Sequence, residues 1–377
     1  MKILFIPSWY PSKNNPIWGN YFIKQAENMS EYADVSMIHI ERIGLKNIFS
    51  IFNNKKKDYC FKFYKSNIIN LKKINLDLSY NIYKKAAYRL YKKYIKYNGK
   101  PDIIFAQSVL PAGLAAQFIS EKENIPFVVH EHSIDVMKNY NKQFKFIAKK
   151  ANGYYAVSKK IKDYLDKNGR KDTVIIPNYI DTKRFDIEKR KTSVFTLINI
   201  CNFFKVKSLE TLLQALRIVI DQYNISKIRL NIIGTGEYEK YYKDICSNLN
   251  LDKYVKFKGY IDNNKIPYEL CSSDVLCVSS TIETFGIPII EAMACGIPCI
   301  STKCGGPEEI VNDSNGLLVE VKNPEQFAKA IAYMYNNSSK YSSKKIKKYA
   351  YDNYDKKVVC KKLLNELEKI IKKSGNK

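Results

Sequence analysis

Short apolar runs bounded by polar or glycine-containing loops recur along the chain, and longer stretches between them place apolar residues every three or four positions. In the first half the runs fall at residues 3–6, 103–106 and 127–130. In the second they fall at 196–200, 229–233, 255–258, 275–278 and 299–301. Runs this short predict strands. Between them, Leu209, Leu212, Leu213, Leu216 and Ile220 follow the helical period. Strand alternating with helix predicts an α/β fold with parallel sheets. The alternation restarts near Ile176-Pro177-Asn178, so two doubly wound units are expected, divided at about residue 180. Ligands of such sheets bind beyond the carboxyl ends of the strands.

A length of 377 residues suits two cores, and 45% hydrophobic with 27% charged residues is ordinary for a folded protein. The opening run ends at Pro7 and is too short for a signal-peptide core. No stretch approaches the roughly 18 apolar residues of a membrane span. The chain is therefore expected in the cytoplasm, free or peripheral on the inner face of the membrane. Nine cysteines, mostly inside apolar segments, read as reduced core residues. Cys295, Cys299 and Cys304 lack the C-x-x-C spacing and fourth ligand of a zinc site, and His130 with His132 has no further ligands, so no metal is expected.

The net charge of +26 is uneven: residues 1–180 carry 31 Lys+Arg against 14 Asp+Glu, and residues 181–377 carry 32 against 23. One segment concentrates it. In residues 84–97, Ala87, Leu90, Tyr91, Tyr94 and Ile95 share one helical face, with Lys84, Lys85, Arg89, Lys92, Lys93 and Lys96 around it. Such a helix either lies on anionic lipid or packs its apolar face into a core with the basic face solvated.

Two loops carry candidate chemistry. Gly234-Thr235-Gly236 follows a strand, but Glu239 stands where G-x-G-x-x-G needs its third glycine, which leaves a phosphate-approach turn or a plain tight turn. The stretch from Ser279 to Gly296 says more. It leaves a buried strand, passes Gly286 and enters a helix with Pro288 in its first turn. Backbone N–H groups from Phe285 through Ile287 and the positive helix end suit a diphosphate. Glu283 and Glu291 flank that point, and carboxylates accept hydrogen bonds from sugar or ribose hydroxyls.

This string resembles the E-x(7)-E motif of retaining glycosyltransferases of family 4, which have the two-domain GT-B fold. The resemblance extends to Pro7-Ser8-Trp9-Tyr10-Pro11 with Gly19 and Gln25-Ala26, to Glu131-His132-Ser133, to the stretch Ile176-Pro177-Asn178-Tyr179-Ile180-Asp181 with Phe185, and to Gly305-Gly306-Pro307-Glu308-Glu309-Ile310. It implies a GT-B chain of two Rossmann-like domains facing across a cleft: an acceptor-binding domain over 1–180, a donor-binding domain over 181–355, and a helix over 356–377 that packs back on the first. It implies that Glu283 contacts donor-sugar hydroxyls, that the amides near Phe285, Gly286 and Ile287 hold sugar or phosphate, and that Glu291 binds the ribose. His132 would sit beside the transferred sugar. Gly19 would let the backbone approach the diphosphate, and Lys207 would neutralise it; Gly234 and Gly236 stand beside these as candidate nucleotide-binding positions from their own loop. The sequence departs from the family at Cys201-Asn202, where many members have Gly-Arg, so Lys205 is the candidate to replace the missing arginine.

The reaction so implied moves a hexose from a UDP- or GDP-sugar, with retention, to a glycan or polyprenyl-diphosphate-linked acceptor in cell-surface polysaccharide synthesis. No cofactor is expected, and no D-x-D metal motif occurs. The basic first half would suit an anionic membrane. Three alternatives stand beside this reading. The charge and 29 tyrosines suit a nucleic-acid-binding protein, although no recognition motif occurs and nucleic acid is not the expected partner. Glu283 and Glu291 could be the acid and nucleophile of a glycoside hydrolase. A sugar-nucleotide epimerase would share the GT-B fold.

Overall fold

The structure, a computed structural model, describes residues 1–11, 19–44, 59–70, 75–188 and 193–375. It divides into two compact units, Met1–Ile176 with Cys360–Lys377, and Pro177–Val359.

The first unit holds a seven-stranded sheet of β1 (Lys2–Pro7), β2 (Asp34–Ile43), β3 (Lys62–Ile69), β4 (Ile103–Gln107), β5 (Phe127–Glu131), β6 (Gly153–Ala156) and β7 (Val174–Ile175). Their order is β3-β2-β1-β4-β5-β6-β7, and every pairing is parallel. The central strands are buried along almost their whole length, because helices cover both faces of such a sheet. Phe5 and Phe105, paired in register across β1 and β4, meet edge-on at 4.8 Å.

The lysine-rich segment lies on helix Leu76–Asn98, which starts at an Asn75 cap whose side chain accepts from the Leu78 amide. Its residues Tyr83, Ala87, Leu90, Tyr91 and Tyr94 are buried against the sheet and the neighbouring helix Leu114–Glu123. The apolar face is therefore spent on the domain's own core. Lys85, Arg89, Lys92, Lys93 and Lys96 remain exposed. Among the described residues, no helix is long and apolar enough to cross a membrane.

The second unit holds six parallel strands, β8 (Phe195–Ile200), β9 (Ile228–Ile233), β10 (Val255–Gly259), β11 (Val275–Val278), β12 (Cys299–Thr302) and β13 (Gly316–Val319), in the order β10-β9-β8-β11-β12-β13. Helix Leu209–Gln222 buries Leu209, Leu212, Leu213, Leu216 and Val219 in a core with Leu197, Ile232, Cys277 and Ile331. Strand order runs one way from β8 and the other way from β11. The crevice at that reversal, beyond the carboxyl ends of these two strands, is where sheets of this kind bind ligands.

Candidate functional site

Four loops converge on the reversal in the second unit. The loop after β8 makes a 3-10 turn at Lys205–Lys207 and is tied to the loop after β11. The Thr281 amide donates to the Val206 carbonyl at 2.7 Å, and Ser279 Oγ donates to the Lys207 carbonyl at 3.0 Å. These ties carry two charges together. Lys207 Nζ donates to Glu283 Oε2 at 2.6 Å, with the side chains 20% and 19% exposed. Burial by itself would lower the Lys207 pKa, but the charge and hydrogen bond of Glu283 win and hold it above its ordinary value. Lys205, two residues earlier, is exposed on the same turn, and the turn presents Lys207 rather than Lys205 to the carboxylate.

Glu283 is fixed at both backbone ends by the loop after β12. Its amide donates to the Cys304 carbonyl at 3.2 Å, and its carbonyl accepts from the Gly306 amide at 2.9 Å. Gly306 is required there, because a Cβ would stand 2.3 Å from Phe285 Cα. Phe285 is buried edge-on against Tyr354 at 5.8 Å. Gly286, with φ of 109°, caps helix Ile287–Ala294, and Pro288 falls in its first turn. The amides of Phe285, Gly286 and Ile287 have no acceptor among the described residues. Three N–H groups and a helix start thus lie beside the Lys207–Glu283 pair, an arrangement with the chemistry to receive an anion.

Glu291 lies one turn into that helix, and its carboxylate has no hydrogen-bond partner among the described residues. Burial pushes its carboxyl up to about 7, while the nearby Arg184 guanidinium pulls the other way. Arg184 is held by the loop after β10, donating from Nη2 to the Asn263 carbonyl at 3.0 Å and towards Asn264 Oδ1 at 3.4 Å.

Gly234 and Gly236 sit where two loops pack closely together. A Cβ on Gly234 would stand 1.8 Å from the Cys201 carbonyl oxygen, and one on Gly236 would stand 2.6 Å from that of Phe203. These glycines let the loop after β9 close on the loop after β8, and the Phe203 amide donates to the Thr235 carbonyl at 2.9 Å. Their spacing is that of a tight inter-loop contact, which shapes the turn leading to Lys207.

His132 and Gly19 belong to the first unit. His132 follows β5, donates from Nε2 to Gln107 Oε1 at 2.7 Å, and sets its ring against Phe22 at 5.0 Å. Gly19 begins helix Asn20–Ser30, where a Cβ would stand 2.4 Å from the Trp9 carbonyl oxygen, and Phe22 follows within the first turn. The carboxyl ends of β1, β4 and β5 therefore bring the Gly19 turn and His132 together. His130 is turned inward, with Nε2 at 2.9 Å from the Ile176 carbonyl and burial pulling its pKa down to about 4. The two imidazole rings lie 4.5 Å apart. Among the described residues no three His, Cys, Asp or Glu side chains gather as a metal site.

Sequence reasoning passed over the group that holds His132. Glu131 is fully buried and accepts from Ser108 Oγ, from the Val109 and His132 amides at 2.9 Å, and from the Ser133 amide at 3.2 Å. Burial raises its pKa and these bonds partly offset the rise. An acidic residue ending an otherwise apolar strand was the available signal. Arg184 gave none, since only the fold sets it beside Glu291.

The family described as glycosyl transferases group 1 matches residues 179–353, and that described as glycosyltransferase family 4 matches residues 58–184. N-acetyl-alpha-D-glucosaminyl L-malate synthase of Bacillus anthracis is 30% identical over 58% of this chain. The lipopolysaccharide core biosynthesis glycosyltransferase LpsE of Rhizobium meliloti is 30% identical over 36% of it. The matches span 61% and 38% of those relatives' lengths. The crystal structure of HepE from Anabaena in complex with UDP superposes with a TM-score of 0.75, covering 98% of this chain and 100% of that one at 19% identity, a likeness of fold.

Proposed function

Because the chain belongs to the GT-B glycosyltransferases of the family 4 type, we propose that it transfers a hexose from a UDP- or GDP-sugar, with retention at the anomeric carbon, to a glycan or polyprenyl-diphosphate-linked acceptor. The observation that carries this reading is the second unit's crevice, where a lysine–glutamate pair, three unengaged amides at a helix start and a partly buried carboxylate adjoin one another. Those groups match the parts of a nucleotide-sugar in order. Glu283 accepts from sugar hydroxyls, Lys207 and the amides of residues 285–287 receive the diphosphate, and Glu291 accepts from the ribose.

Bond cleavage at the anomeric carbon leaves negative charge on the diphosphate. Preorganised N–H groups and the Lys207 ammonium aimed at that charge supply the main stabilisation, without a bridging metal ion. His132, held by Gln107 and by the backbone bonds to Glu131, is assigned to the transferred sugar. The UDP complex of the Anabaena neighbour supports a nucleotide donor, and the Rhizobium relative's role in lipopolysaccharide core synthesis supports a cell-surface glycan acceptor. The exposed basic face of helix Leu76–Asn98 supports peripheral contact with an anionic membrane surface through charge alone. Family membership favours this over the hydrolase, epimerase and nucleic-acid readings.

The test is a thermal-shift panel of UDP- and GDP-sugars on the wild type and Glu291→Ala. One or more should stabilise the wild type and leave the variant unmoved. A panel with no stabilising compound, or an identical response from the variant, refutes the assignment.

A further inference from the structure

Lys207 and Glu283 are both four-fifths buried and bonded to each other, yet the proposed donor needs both. The pair cannot drift apart as loops. Residues 206 and 207 are bonded to Ser279 and Thr281, and Glu283 is bonded at its amide to Cys304 and at its carbonyl to Gly306. A phosphate that reaches the Lys207 ammonium therefore arrives beside a fixed carboxylate, in a setting where poor solvation strengthens both attraction and repulsion.

Resting on the donor-site reading above, we propose that Glu283 is a specificity-determining residue by which the site distinguishes an intact nucleotide-sugar from the nucleoside diphosphate left after transfer. In the intact donor the sugar-bearing phosphate is bridged on both sides, by the anhydride and by the sugar ester, and carries one charge, and the attached sugar brings hydroxyls that donate to Glu283. The carboxylate then gains partners as Lys207 turns to the phosphate. In the spent nucleotide the same phosphate is terminal, bridged only by the anhydride, and its second ionisation, like that of a phosphate monoester, falls near pH 6. It carries close to two charges at neutral pH and brings no hydroxyl donor. Drawing Lys207 away leaves Glu283 unpaired next to a dianion. The device weakens product binding selectively and clears the site for the next donor.

The experiment is calorimetric titration of wild type and Glu283→Gln with UMP, UDP and UDP-glucose, and with GMP, GDP and GDP-mannose. Glutamine keeps the shape and the acceptor oxygen but removes the charge. The variant should bind UDP or GDP about tenfold more tightly, ~1.4 kcal/mol, bind the monophosphate unchanged, and bind the nucleotide-sugar no better. A merely structural role would weaken all three alike. An unchanged or weakened diphosphate affinity overturns the proposal. If the variant does not fold, the wild type decides: adding the terminal phosphate to the monophosphate should strengthen binding by less than tenfold, and a gain of tenfold or more overturns the proposal. Failure of every nucleotide to bind the wild type removes the donor-site reading and this inference together. Normal nucleotide-sugar binding with a failed diphosphate comparison removes this inference alone.

Discussion

Replacing Glu291 by glutamine separates its cost to the fold from its use to the ligand. Burial raises this carboxyl from the ordinary range to about 7. An acid whose pKa is raised on folding is best tolerated when protonated, so its contribution is intact below the unfolded value, near 4.3, and is lost as pH climbs to about 7. Above pH 7 the folded protein carries the full burden of a buried charge. A shift of this size corresponds to ~3 kcal/mol. Glu291→Gln keeps the volume and removes the titration. The ligand-free variant should match the wild type near pH 5 and exceed it at pH 8, by several degrees of melting temperature for a unit of this size. Nucleotide binding should respond in the opposite sense. Ribose hydroxyls donate to the ionised form, so wild-type affinity should weaken below pH 7, and the variant should bind roughly tenfold or more weakly at pH 8 with its pH dependence lost. Differential scanning calorimetry from pH 5 to 8.5, with and without nucleotide, reads both. A melting-temperature difference that stays constant with pH, or a wild type more stable than the variant at pH 8, would refute the reasoning.

Gly234→Ala forces a methyl group against the Cys201 carbonyl and should destabilise the protein by roughly 3 kcal/mol, seen as a fall in the denaturation midpoint together with weaker nucleotide binding. His132→Ala should lower kcat by about 10²-fold with nucleotide affinity unchanged, and a matched fall in nucleotide affinity would move His132 out of the assigned role. Vesicle co-sedimentation should show binding to anionic but not neutral lipid that salt abolishes, at ~1 kcal/mol per basic residue. Charge reversal at Lys85, Arg89 and Lys92 should weaken it, while equal binding to both lipids at low salt would refute the electrostatic reading.

The eight strands expected from short apolar runs are all present, because strands buried on both faces leave uninterrupted hydrophobic stretches. Strands β2 and β3 escaped notice for the complementary reason. Their sequences DVSMIHIERI and KFYKSNII mix charge with apolar residues, and β3 lies at the sheet edge, half exposed along its length. Position along the chain revealed the Glu283 to Glu291 loop, since eight residues keep both acids within one strand-to-helix turn. It could not reveal that Lys207 meets Glu283 across 76 residues, or that Arg184 approaches Glu291, because those contacts follow from strand order. The glycine pair at 234 and 236 shows why a glycine loop is ambiguous when read from sequence. The same residue type serves a close approach to phosphate and a close approach to backbone, and sequence does not say which partner is approaching.

The first unit is assembled from two stretches of chain with the whole second unit threaded between them. Helix Lys356–Gly375 supplies Ile370, whose side chain stands 3.2 Å from the space a Cβ on Gly153 would fill. During synthesis the ribosome must therefore deliver the second unit before it delivers the segment that completes the first. The earliest-made sheet waits with an uncovered apolar patch at Gly153 until the chain has passed residue 370, and expression of residues 1–176 alone should yield a nascent-like, chaperone-dependent product. Any attempt to isolate the first unit has to graft residues 360–375 back onto it, whereas residues 177–359 form one uninterrupted cassette.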